Sequence, residues 1–153
     1  AGQTEFDWWT SDEARNGDRA GGAKLVEQMV VPLQDKMTFV AEGDEVVSGI
    51  TAMEAFGHTP GHLIFEVASG DRRLWLTADT ANHFVASLQK PDWEVKFDMD
   101  KAQAAATRRK VLGMLAADKI PFIGYHMPFP AVGYVETRGD GFQYVPASYQ
   151  LML

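Results

Sequence analysis

Apolar positions change period along this chain, and each change marks an element. Between Ala23 and about Leu33, the residues Leu25, Val26, Met29, Val30 and Leu33 recur at helical spacing, which predicts an amphipathic helix stopped near Pro32. Lys36 to Ala41 predicts a short strand, and Glu42-Gly43-Asp44-Glu45 a turn. Three strands are predicted next, Val46 to Phe56, Leu63 to Val67 and Arg73 to Ala78, the last two joined by a hairpin turn at Ser69-Gly70-Asp71. A short helix is predicted from His83 to Leu88, and a longer one from Lys101 to Ala117. The longer helix opens on a capping-box-like Asp100 and Gln103 and buries Ala104, Ala105, Val111, Leu112 and Leu115 on one face. Ile120 to Tyr125 predicts a strand, and Val132 to Val135 with Phe142 to Val145 a closing hairpin around Arg138-Gly139-Asp140-Gly141. The first 22 residues are polar and glycine-containing apart from the adjacent Trp8 and Trp9. They predict irregular or briefly helical structure with Ser11 as an N-cap, the two tryptophans plugging a core or an interface. Strands and helices in this order predict one α/β domain.

Composition narrows the function classes. The chain has 153 residues, 46% of them apolar, enough for the core of one domain. Its net charge of −7 repels phosphate backbones and anionic lipid surfaces, so neither nucleic acid nor a membrane is an expected partner. No apolar run approaches the ~18 residues of a membrane span. Cysteine is absent, which excludes disulfides and thiolate metal sites and leaves the compartment open. Arg108 falls within the apolar stripe of the long helix, where a buried guanidinium needs a carboxylate. Asp98 and Asp100 are the nearest in sequence, and the expected pair is structural.

Candidate chemistry gathers at strand ends. His58, Asp79 and His126 each follow a short apolar strand and begin a loop, so strands lying in one sheet would bring them to a common edge. Two imidazoles and a carboxylate suit Zn²⁺, Mn²⁺ or Fe²⁺. His58 lies in Gly57-His58-Thr59-Pro60-Gly61-His62, a stiff connection whose alternative reading is a polar strand turn that happens to contain histidines.

That stretch, the strand ending in Thr77-Ala78-Asp79, and Gly124-Tyr125-His126 together resemble the C-terminal half of the metallo-β-lactamase fold superfamily. Within it, the chain is most similar to hydrolases of the methyl parathion hydrolase and N-acyl homoserine lactonase type. Asp98, the helix bearing Arg108, the loop His126-Met127-Pro128-Phe129-Pro130, Gly133-Tyr134 and Tyr144-Val145-Pro146 extend the resemblance over nearly the whole chain from about Trp8. It implies half of an αββα sandwich, an α/β arrangement of a mixed sheet with flanking helices. His58 and His126 would each ligate one of two divalent metal ions, with Zn²⁺ favoured over Mn²⁺ or Fe²⁺. Asp79 would bridge both ions and serve as the catalytic carboxylate. His62 and Thr59 would support the ligands by hydrogen bonding, and His83, Phe84 and Phe129 would meet the substrate, with Trp93 a further candidate on the pocket rim. The implied reaction is hydrolysis of lactones, esters or phosphotriesters. The alternatives are an iron-dependent oxidoreductase of the sulfur dioxygenase kind and an inactive structural fragment.

One departure is large. These hydrolases carry a His-x-His-x-Asp-His motif in their N-terminal half, whereas the four histidines of this chain are His58, His62, His83 and His126. Residues 1–153 are therefore expected to be half of one domain. The expected partner is the N-terminal half as a separate chain, with a homodimer of the assembled protein as a further level of assembly. The isolated chain is expected to be inactive. The expected location is cytoplasmic or, given an export signal in the missing half, periplasmic.

Overall fold

The computed structural model describes residues 1–148. Among these residues, seven strands form a single sheet whose spatial order is the sequence order: β1 (Glu45–Val47), β2 (Ile50–Glu54), β3 (Leu63–Ser69), β4 (Arg72–Ala78), β5 (Phe122–Gly124), β6 (Val132–Arg138) and β7 (Gly141–Pro146). Every neighbouring pair is antiparallel except β4–β5. A parallel pair cannot be closed by a tight turn. The β4–β5 connection accordingly carries α4 (Ala86–Gln89) and α5 (Lys101–Asp118). The other helices precede the sheet: α1 (Gln3–Trp9), α2 (Asp12–Asn16), α3 (Ala20–Met29) and a 3-10 turn, Val31–Lys36.

Sequence expectations hold best where turn chemistry is strong. The β3–β4 and β6–β7 hairpins turn on Gly70-Asp71 and Gly139-Asp140, with both glycines at positive φ (61° and 57°). Asp100 caps α5, its carboxylate accepting from the Gln103 amide at 2.9 Å, and Ser11 caps α2. Three expectations change. The strand expected over Val46 to Phe56 is two, because Gly49 at φ 81° turns the chain back between β1 and β2. Lys36 to Ala41 forms no strand: Lys36 ends the 3-10 turn, and Val40 makes an isolated parallel bridge to Gly2. The helix expected from Ala23 starts at Ala20 and ends at Met29, and the side it buries is not the apolar stripe. Ala23 is buried and Gly22 faces Trp9, where a Cβ would lie 2.6 Å from the indole ring, while Leu25, Met29 and Leu33 are exposed.

The core lies between α5 and one face of the sheet. Ile64, Trp75, Leu88, Leu112, Leu115 and Phe122 are buried there, each stabilising the fold by roughly 1.5–3 kcal/mol through removal of apolar surface from water. Alternation sends the intervening residues to the other face. There Val67, Leu74, Pro121, Pro130, Val132 and Tyr134 border an open apolar groove of about 700 Å³.

Candidate functional site

Because β2 and β4 are both antiparallel to β3, they run the same way, and β5 is parallel to β4. The loops after β2, β4 and β5 therefore leave one edge of the sheet, and they carry His58, Asp79 and His126. The three side chains meet. His126 Nε2 lies 2.9 Å from Asp79 Oδ1, and His58 Nε2 lies 4.0 Å from Asp79 Oδ2. Each oxygen of one carboxylate thus faces the Nε2 of a different histidine.

Backbone geometry places the carboxylate. Ala78 adopts φ 44°, a left-handed conformation uncommon for a residue with a side chain, at a break in the β4–β5 register. The chain therefore leaves β4 in a sharp turn rather than as a continuing strand. Thr80 closes this turn, its amide and hydroxyl both donating to the Thr77 carbonyl (3.0 and 2.7 Å). Non-glycine residues at positive φ are costly and concentrate at functional sites.

The Gly57–His62 turn is pinned from two sides. Gly57 has φ 127°, and a Cβ there would collide with the Ala104 backbone at the start of α5. The Asp100 amide donates to the Gly57 carbonyl at 2.9 Å, and the Met99 amide to that of His58 at 3.2 Å. On the other side, a Cβ on Gly61 would collide with the Glu5 backbone in α1. The Glu5 carboxylate accepts from the Gly61 amide (2.9 Å) and from Trp9 Nε1 (2.8 Å). Only glycine permits such close backbone approach at both points.

The two histidines of the turn have different environments. His62 is buried; its Nδ1–H donates to the Ala55 carbonyl at 3.0 Å, and its Nε2 accepts the Asp79 amide at 3.3 Å. Burial and the neighbouring His58 favour its neutral form, which lies at lowered pKa despite the Ala55 bond. His58 shows the opposite shift: the Asp98 hydrogen bond to Nδ1 (3.0 Å) raises its pKa against the effect of burial, with Asp79 adding to the rise.

Asp98 is the residue whose role at the site the sequence did not disclose. Its side chain is 1% exposed and bonds Arg108 Nη2 at 2.8 Å through Oδ2 while Oδ1 holds His58. The expected structural pair with Arg108 is present, and Asp100 serves as the helix cap instead. The tie to His58 spans 40 residues of sequence, and no local spacing signals it.

Residues expected around the substrate lie elsewhere. A cleft of about 540 Å³ beside His58 and His126 is bounded by Trp9, Thr59, Asn82, Phe97 and Met99. Asn82 Oδ1 is buried there without a hydrogen-bond partner among the described residues. His83, Phe84, Trp93 and Phe129 do not line this cleft. His83 Nδ1 accepts from the Val85 and Ala86 amides at the start of α4, with its ring stacked on Phe84, and Phe129 is 98% exposed. Thr59 acts through its backbone, its carbonyl accepting from Gly57 (3.1 Å) and His62 (3.4 Å).

The donors fit part of a metal site. Two imidazole Nε2 atoms meet one carboxylate beside the cleft, but no group of three or more potential ligands among the described residues closes around a single ion.

No family model matches the chain, and no curated protein matches it by sequence. Solved structures do. AidC, a dizinc quorum-quenching lactonase solved in complex with a product, is similar over 97% of this chain with 26% identity and a TM-score of 0.86. The hydrolase AbOPH of the beta lactamase superfamily matches over 97% of the chain with 20% identity and a TM-score of 0.85. A probable metal-dependent hydrolase from Staphylococcus aureus matches over 75% with 19% identity and a TM-score of 0.60. The chain covers 54% of the first two structures, so it spans about half their length. In architecture, this chain matches one half of the metallo-β-lactamase fold.

Proposed function

We propose that this chain is the C-terminal half of a dinuclear metal-dependent hydrolase that cleaves lactones, esters or phosphotriesters once a partner supplies the His-x-His-x-Asp-His ligands. The observation that carries this reading is the placement of Asp79, whose two oxygens each face one histidine Nε2. Such a carboxylate suits a bridge between two cations, with His58 ligating one and His126 the other. The similar lactonase AidC is described as dizinc, and imidazole and carboxylate donors suit zinc, so Zn²⁺ is the metal proposed. When bound, the ions would supply a hydroxide near neutral pH and polarise the oxygen of the bond under attack.

The chain's own residues do the positioning. His62 holds the Asp79 amide, the turn at Ala78 brings the Asp79 carboxylate between His58 and His126, and the Gly57 turn places His58 on the wall of the cleft. Trp9, Phe97 and Met99 offer apolar surface for the non-reacting part of a substrate. The apolar groove on the sheet face opposite α5 supports the partner reading, because a sandwich half without its second sheet leaves such a face open.

Complementation tests the proposal. The chain alone is expected to lack hydrolytic activity; mixed with the N-terminal half of such a hydrolase, it should take up two equivalents of Zn²⁺ and open a lactone or aryl ester. Full activity of the chain by itself would overturn it. So would a complemented protein that holds redox-active iron and consumes oxygen.

A further inference from the structure

Within the cluster behind the site, the atom assignments of Asp98 determine more than stability. Arg108 donates to three carbonyls (Thr80 at 3.0 Å, Pro91 at 2.7 Å and Trp93 at 3.1 Å) and to Asp98 Oδ2 at 2.8 Å. That leaves Oδ1, which lies 3.0 Å from His58 Nδ1. A carboxylate paired with a guanidinium offers only acceptors, so His58 Nδ1 must carry the proton. In the neutral ring, Nε2 is then bare, and Nε2 is the atom that faces Asp79. We infer that Asp98, locked by Arg108, is a positioning residue that fixes the neutral His58 ring in the Nδ1–H tautomer, so that Nε2 is the nitrogen without a proton and faces Asp79. For the metal alone, this rests on the hydrolase reading above.

His62 provides a built-in contrast. Its Nδ1–H is fixed by the Ala55 carbonyl, which gives the same tautomer, but its Nε2 already accepts the Asp79 amide. Of two neighbouring histidines with the same proton placement, only His58 has a free lone pair at the site. Arg108 also couples the two arms of the site, since it holds the carbonyl of Thr80 next to Asp79 as well as the carboxylate behind His58. Outer partners of this kind orient ligating imidazoles and raise their basicity.

The ¹⁵N spectrum of the metal-free full chain, at a pH where the imidazoles are neutral, reads the tautomers directly. His58 and His62 should both be Nδ1–H. In Asp98→Asn, whose amide can donate as well as accept, His58 should become a mixture of tautomers while His62 stays unchanged. In the protein complemented with its N-terminal half, the same variant should weaken Zn²⁺ binding roughly 10–100-fold. A wild-type His58 protonated at Nε2 overturns the inference, as does a folded Asp98→Asn variant with an unchanged His58 tautomer. Should the variant fail to fold, the wild-type tautomer decides alone. Expected tautomers together with a complemented protein that takes up no Zn²⁺ would uphold the positioning role and overturn the hydrolase reading.

Discussion

On one side of Asp79, His58 is only 20% exposed, tied at Nδ1 to a buried carboxylate and carried by a turn wedged between α1 and α5. On the other side, His126 is 47% exposed and is held, among the described residues, by one hydrogen bond to Asp79 itself. The first side is rigid before anything binds; the second takes its order from the carboxylate. Preorganisation costs burial of charge, and this chain concentrates that cost behind His58 in the Asp98–Arg108 pair. The exposed side faces the open cleft.

The strongest test of this asymmetry removes its centre. Asp79→Ala should abolish metal uptake and hydrolysis in the complemented protein, because the carboxylate serves both sides. His62→Ala should only weaken them, roughly 10–100-fold, by freeing the Asp79 amide. Metal content and lactone hydrolysis measured on both variants distinguish them; equal, total loss would make His62 a ligand. Arg108→Ala should destabilise the chain by about 3–5 kcal/mol in denaturant titration, since it leaves the Asp98 carboxylate buried and unpaired. A cost below about 1 kcal/mol would erase the contrast between the two sides. His126→Ala, by the same titration, should change stability by less than about 1 kcal/mol, as expected for a half-exposed side chain with one hydrogen bond among the described residues.

A smaller effect lies away from the site. Glu66 is partly desolvated, which works against ionisation, yet hydrogen bonds from Trp75 Nε1 and Arg73 Nε (both 2.7 Å) hold its carboxyl below the usual range. A lowered folded pKa contributes stability above the unfolded value of about 4.3, and that contribution is lost as pH falls through the folded pKa. Glu66→Gln should therefore flatten the acid limb of the stability–pH curve and leave the slope near neutrality unchanged.

Legibility in the sequence followed the same division. Strand ends, Gly-Asp turns and the Asp100 cap depend on neighbours a few residues apart, so the common edge of His58, Asp79 and His126 was readable. That Arg108 pairs with a nearby carboxylate was readable too, because a charge in an apolar stripe demands a partner, but the choice of Asp98 over Asp100 was not. The link from Asp98 to His58 was not, since it joins residues that only the folded crossover brings together. Nor was the cleft wall: Trp9 and Phe97 reach it from distant segments, whereas His83, nearer in sequence to Asp79, caps α4. The Leu25–Leu33 stripe misled in the opposite sense, because periodicity reports an apolar face but not whether anything covers it.

The lone parallel step of the sheet has a kinetic meaning. Strands β1 to β4 and β5 to β7 can zip as successive local hairpins, which close quickly at little entropic cost. The β4–β5 junction must instead wait for the long crossover carrying Asp79, Asp98 and Arg108 to find its place. The crossover carries both Asp79 and the Asp98 that holds His58, so refolding monitored at the site should report docking of the crossover and not the early growth of the sheet.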